Sequence, residues 1–159
     1  MALSRPNLNH WGKEHSETNV LMVKESTNLV VLDMCYSSLE TFWKGTKPLK
    51  LLKLVDLSHS HGLVSGILDF SLVPNLEKLV LKYCINLVEV HESIRVLQRL
   101  ILLDLKGCRN LRKLPTGIHQ LKSLEKLILS GCSKLHDESP AYHLDNMEPP
   151  TLAQVKLKE

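Results

Sequence analysis

Apolar residues recur along this chain in a short phrase: an aliphatic residue, two others, a second aliphatic, one other, a third. The phrase occurs at Leu29-Leu32-Met34, Leu52-Val55-Leu57, Leu76-Leu79-Leu81, Leu100-Leu103-Leu105 and Leu124-Leu127-Leu129, with a weaker copy at Leu152-Val155-Leu157. Its first position advances by 23, 24, 24, 24 and then 28 residues. Within each copy the last two apolar residues are two apart, so both face one side of an extended segment and their neighbours face the other. The alternation predicts one short strand per copy. Stacked at about 4.8 Å, such strands form a parallel sheet with a ladder of aliphatic side chains on its inner face.

After each strand the chain must return to the start of the next. The apolar residues of the return fall in columns: Leu87, Val90, Ile94 and Leu97 in one copy, Leu111, Leu114, Ile118 and Leu121 in the next. None of these segments carries a long stripe at the 3.6-residue helical period, so loops and 3₁₀ turns are expected on the convex side. The period and the pattern are those of leucine-rich repeats. The expected fold is therefore an α/β leucine-rich-repeat solenoid of about five repeats over 29–135, with short parallel strands on the concave face. An irregular flank precedes it at 1–28. A Pro-containing flank follows at 136–159, with a degenerate repeat at 152–157.

Three residues beyond the last aliphatic of each phrase lies another column: Ser37, Ser60, Cys84, Cys108 and Cys132. Here the repeat consensus places a small side chain that turns inward and bonds backbone groups of the bend. These five are assigned as a structural ladder, the three thiols buried and reduced. Cys35 breaks the column and is expected on the opposite, exposed face. No C-x-x-C pair occurs, which removes zinc-knuckle and thioredoxin-type readings.

Composition sharpens this picture only a little. Leucine accounts for 33 of 159 residues, against seven aromatic residues, as expected when every unit solves the same packing problem. The formal net charge of +3 is too small to argue for a nucleic-acid or anionic-membrane partner. No apolar run reaches the roughly 18–20 residues of a bilayer span, the N-terminus lacks a signal-peptide stretch, and no Asn-x-Ser/Thr acceptor is present. A cytoplasmic setting, or a nuclear one, is the expectation.

The sequence resembles the leucine-rich-repeat region of plant intracellular disease-resistance receptors, in particular the TIR, nucleotide-binding and leucine-rich-repeat class. The stretches that carry the likeness include Val31-Leu32-Asp33-Met34, Phe42-Trp43-Lys44-Gly45-Thr46, Pro74-Asn75-Leu76-Glu77-Lys78-Leu79, Leu111-Arg112-Lys113-Leu114-Pro115-Thr116-Gly117-Ile118 and Leu129-Ser130-Gly131-Cys132. The likeness covers about residues 29–135 and implies a sensing region truncated relative to such a receptor. No G-x-x-x-x-G-K-[ST] occurs, so nucleotide binding is not carried over to any residue, and no cofactor is expected.

No catalytic centre is legible. His91-Glu92-Ser93-Ile94-Arg95 begins like a zinc-protease motif but ends in Arg, on a return segment rather than a helix. The other histidines lie on different repeats, and no metal site is assigned. The outward strand positions are the better candidates: Leu54, Asp56, Lys78, Val80, Lys82, Leu102, Asp104, Lys106, Lys126 and Ile128, alongside Val31 and Asp33. Beside them Tyr36, His59 and Tyr83 form a column that continues as Gly107 and Gly131. Two roles fit these rings: anchors for a partner, or a stack that shields the ladder. What the resemblance implies is recognition of a protein partner: a pathogen effector, a guarded host protein, or a nucleotide-binding domain held in restraint. The competing readings are an autonomous adaptor that regulates another resistance protein and, in a different class, the substrate-binding part of an enzyme.

Overall fold

The computed structural model describes residues 28–37, 48–64 and 69–135. Five strands of three residues each pair in parallel and in sequence order: β1 (Val31–Asp33), β2 (Leu54–Asp56), β3 (Lys78–Val80), β4 (Leu102–Asp104) and β5 (Lys126–Ile128). The register aligns the repeats residue for residue. Leu32, Val55, Leu79, Leu103 and Leu127 form one row across the sheet, with Val31, Leu54, Lys78, Leu102 and Lys126 on one side of it. On the other side run Asp33, Asp56, Val80, Asp104 and Ile128. This is a leucine-rich-repeat solenoid. Its helical component among the described residues is 3₁₀ throughout: η1 (Phe70–Leu72), η2 (Glu92–Val96) and η3 (Thr116–Gln120).

The middle residue of every strand points into the core, as do the leucines two residues on. All eight return residues named above are buried, and Phe70 fills in the second repeat the place that Ile94 and Ile118 take later. One continuous cluster runs from Leu32 to Leu129. A fully buried leucine contributes roughly 1.5–3 kcal/mol relative to an exposed one, so the shared column rather than any single repeat supplies stability.

Polar groups at the bends also bridge repeats. The 3₁₀ turns need side-chain acceptors for their first N–H groups. Asp69 accepts from Ser71 N at 3.0 Å, and His91 Nδ1 accepts from Ser93 N at 3.1 Å. Pro115, which opens η3, has no polar side chain to offer. Glu92 of the preceding repeat supplies the acceptor instead, taking the Thr116 N–H and the Thr116 hydroxyl, each at 3.0 Å. In the reverse direction, Ser93 Oγ accepts from Phe70 N at 2.9 Å. The fragment that begins like a zinc-protease motif is thus a set of turn caps. The flanks 1–27 and 136–159, the latter with the expected degenerate repeat at 152–157, lie outside the described residues.

Candidate recognition surface

The ladder fixes the sheet from behind. Ser60 Oγ donates to Met34 O at 3.3 Å and accepts from Ser37 N at 3.1 Å. Cys84, Cys108 and Cys132 donate through Sγ to Leu57 O, Leu81 O and Leu105 O at 3.2, 3.0 and 3.1 Å. Each side chain therefore satisfies a carbonyl of the repeat before it. Burial pushes the Cys84 and Cys132 thiols up to about 11 and the Cys108 thiol higher still, so all three are held protonated.

In front of the ladder the chain leaves each strand through a left-handed residue. Tyr36, His59 and Tyr83 have φ of 60°, 61° and 56°, and Gly107 and Gly131 continue the column at 72° and 78°. The left-handed region costs an L-residue roughly 1–2 kcal/mol, so three such residues in a row require compensation. Stacking provides it: Tyr36 and His59 lie 4.6 Å apart at 10°, His59 and Tyr83 4.9 Å apart at 25°. The Tyr83 ring then lies over Gly107, where an added Cβ would stand 2.4 Å from Tyr83 Cδ1. The rings do stack on one another, yet Tyr36 remains 71% exposed and Tyr83 37%. The glycines at 107 and 131 were the sequence signal for this backbone conformation.

The outward strand positions differ from the uniform exposed face that alternation predicts. Lys78, Lys106 and Lys126 are exposed, as are Val31 and Asp33; Leu54, Asp56, Lys82, Leu102 and Ile128 are half-buried. Val80 and Asp104, expected to face a partner, are buried. For Asp104 the reason is local. Asp104 accepts the Lys106 N–H at 3.0 Å and pairs with Lys82 Nζ at 3.5 Å, which lays the lysine over the carboxylate. Asp56 plays the same turn-closing role for Ser58 N, at 2.9 Å. Cys35 is half-buried rather than exposed, and burial, reinforced by the carboxylates of Asp33 and Asp56, pushes its thiol up to about 12.

The sheet face thus carries a step in charge. Asp33 and Asp56 stand in register on β1 and β2, while the lysines project from β3 onward. No group of three or more His, Cys, Asp or Glu among the described residues is arranged to hold a metal ion, and no described helix is long and apolar enough to cross a membrane.

Residues 28–47 match the family model described as Leucine Rich Repeat. Disease resistance protein RPV1 of Vitis rotundifolia is 43% identical over 66 residues, 42% of this chain and 5% of that protein. Disease resistance protein RML1B of Arabidopsis thaliana is 46% identical over 76 residues, 48% of this chain and 7% of that protein. Over these stretches the chain is similar to plant disease resistance proteins. Among solved structures, the leucine-rich repeat domain of the type III effector XCV3220 (XopL) matches with a TM-score of 0.54 and 33% identity, over 63% of this chain and 34% of that one. This leucine-rich-repeat chain accordingly spans a small part of the length of its curated relatives.

Proposed function

We propose that this leucine-rich-repeat region recognises a protein partner through its sheet face and acts in plant immunity, in the cytoplasm or nucleus. The partner is a pathogen effector, a guarded host protein or a nucleotide-binding domain that the repeats hold in restraint. The repeats occupy 29–135 in this reading, and the residues on either side are flanks. One observation carries it: the sheet leaves exposed rings at Tyr36 and Tyr83, an exposed Val31 and half-buried outward side chains at Leu54, Leu102 and Ile128. A scaffold with no partner would keep such a face polar. Kinship to disease resistance proteins supports the immune setting. The chemistry is binding, because the ionisable side chains of the bends are occupied as caps and turn closures rather than poised around a cavity.

The test is site-specific photo-crosslinking in leaf cells. A photoreactive residue replaces Tyr36, Leu102 or Lys126 on the sheet face, or Arg95 or Lys122 on the return side. Recognition through the sheet yields protein adducts from the first three positions and few from the last two. Adducts concentrated on Arg95 and Lys122 would sink it.

A further inference from the structure

The lysines of the sheet face lie around an apolar centre. Lys78, Leu102 and Lys126 are aligned on three neighbouring strands, which sets the two lysines about 10 Å apart with the leucine between them. Ile128 lies diagonal to Leu102 on the next strand, in register with Asp104, and Lys106 projects beyond the end of β4. Of the carboxylates near these charges, Glu77 and Asp104 are already engaged, while Glu125 is exposed next to Lys126 in the chain. Glu77 is held by Lys53, and Asp104 by Lys82 and a backbone N–H. Among the described residues, Lys78, Lys106 and Lys126 make no ion pair. Two half-buried aliphatic side chains ringed by three free ammonium groups have the anatomy of an interface: a core that loses water and a rim that selects charge.

We infer that this half of the sheet takes an acidic polypeptide segment, with carboxylates flanking an apolar side chain that packs on Leu102 and Ile128. The inference rests on the recognition reading above. A nucleic acid fits less well. Bases need free aromatic faces, and here His59 covers one face of Tyr83 while the Gly107 backbone lies against the ring. The cations at these positions are all lysine, so no guanidinium fork is offered to a base edge or phosphate. At the opposite end of the sheet, Asp33 and Asp56 repel an acidic segment and fix which way along the solenoid it lies.

The experiment is fluorescence anisotropy of the full chain with a labelled peptide of alternating glutamate and leucine pairs. Poly(dT) and the same peptide with glutamine for glutamate serve as comparisons. The peptide is expected to bind and to weaken as salt rises; Lys126→Glu lowers affinity by about tenfold or more, one close charge contact turned repulsive. Leu102→Asp abolishes binding. Lys122→Glu makes the same change in net charge at an exposed turn away from the sheet and leaves affinity within about twofold. All three substitutions fall on exposed or half-buried sites, and unchanged melting shows that the fold is retained. Equal losses for Lys122→Glu and Lys126→Glu, equal binding of the glutamine peptide, or displacement by poly(dT) would each overturn the inference. So would a peptide that fails to bind, while sheet-face crosslinks would still uphold recognition itself.

Discussion

The first three repeats leave the sheet on residues with side chains, the last two on glycine. Tyr36, His59 and Tyr83 adopt the same left-handed backbone as Gly107 and Gly131. In the glycine half the turn is achieved without steric cost. In the ring half it is strained and offset by a stack that leaves aromatic surface in solvent. The ladder changes along the same axis, from serine hydroxyls to cysteine thiols, and so does the sheet face, from aspartate to lysine. One backbone solution thus supports two chemically different surfaces. The framework is set by the buried columns, and the surface is free to vary over it.

The largest expected effect tests whether both halves share one core. Leu57 and Leu105 occupy the same column, 1% and 0% exposed. Truncation of either to alanine should cost roughly 2–5 kcal/mol in a denaturant melt. Two separate transitions, each shifted by only one of the two truncations, would mean that the halves fold as separate units. Next comes the junction between rings and glycines. Gly107→Ala places a Cβ against the Tyr83 ring at a left-handed position and should cost about 2–4 kcal/mol. In a Tyr83→Ala background the clash is gone, and Gly107→Ala should cost only about 1 kcal/mol from the backbone. If Gly107→Ala costs the same in both backgrounds, the ring does not lie over Gly107.

The aspartate row gives a smaller contrast. Asp104→Ala removes a buried acceptor and should cost about 1–2 kcal/mol, whereas exposed Asp33→Ala should stay within about 0.5 kcal/mol. Equal thermal shifts would contradict the burial difference. At the open end of the stack, Tyr36→Gly trades one ring contact for relief of a left-handed residue, so its net effect should lie within about 0.5 kcal/mol. Thiol labelling gives the finest comparison. All four thiols titrate upward, so each has less thiolate at neutral pH than a free cysteine. Alkylation rates should keep rising with pH past 9, toward about 11 for Cys132 and about 12 for Cys35, with both ahead of the fully buried Cys84 and Cys108. Rates that level off near pH 9 would refute these environments.

The repeat frame is legible in the chain because it is written in spacing. Leu76 to Leu81 and Leu100 to Leu105 declare their strand by pattern alone, and the Ser/Cys column declares the bend. The exposed face is less legible, because exposure depends on what a neighbour does. Alternation assigns Asp104 and Val80 outward, but the Lys82 chain and the Lys106 N–H that bury the aspartate belong to tertiary geometry. Glu92 likewise reads as a surface acid, and only the empty cap position at Pro115 in the next repeat gives it work. Ring stacking could be foreseen from the column Tyr36, His59, Tyr83. Its backbone conformation could be foreseen only from the two glycines that follow.

The ladder bonds have one further consequence. Cys84 reaches back 27 residues to Leu57 O, and Cys108 spans the same 27 to Leu81 O. Contacts of this kind specify an offset and not an absolute position. A splice that removed residues 81–104 would join Val80 to Leu105, set Cys108 against Leu57 O and bring Gly107 beside His59. The solenoid would close over the gap one rung shorter, with its ring stack reduced to Tyr36 and His59. A loss of half that length would leave the donor that spans it facing the wrong carbonyl. The molecule can therefore change length only in whole steps, and each step redraws the surface while the frame stays in register.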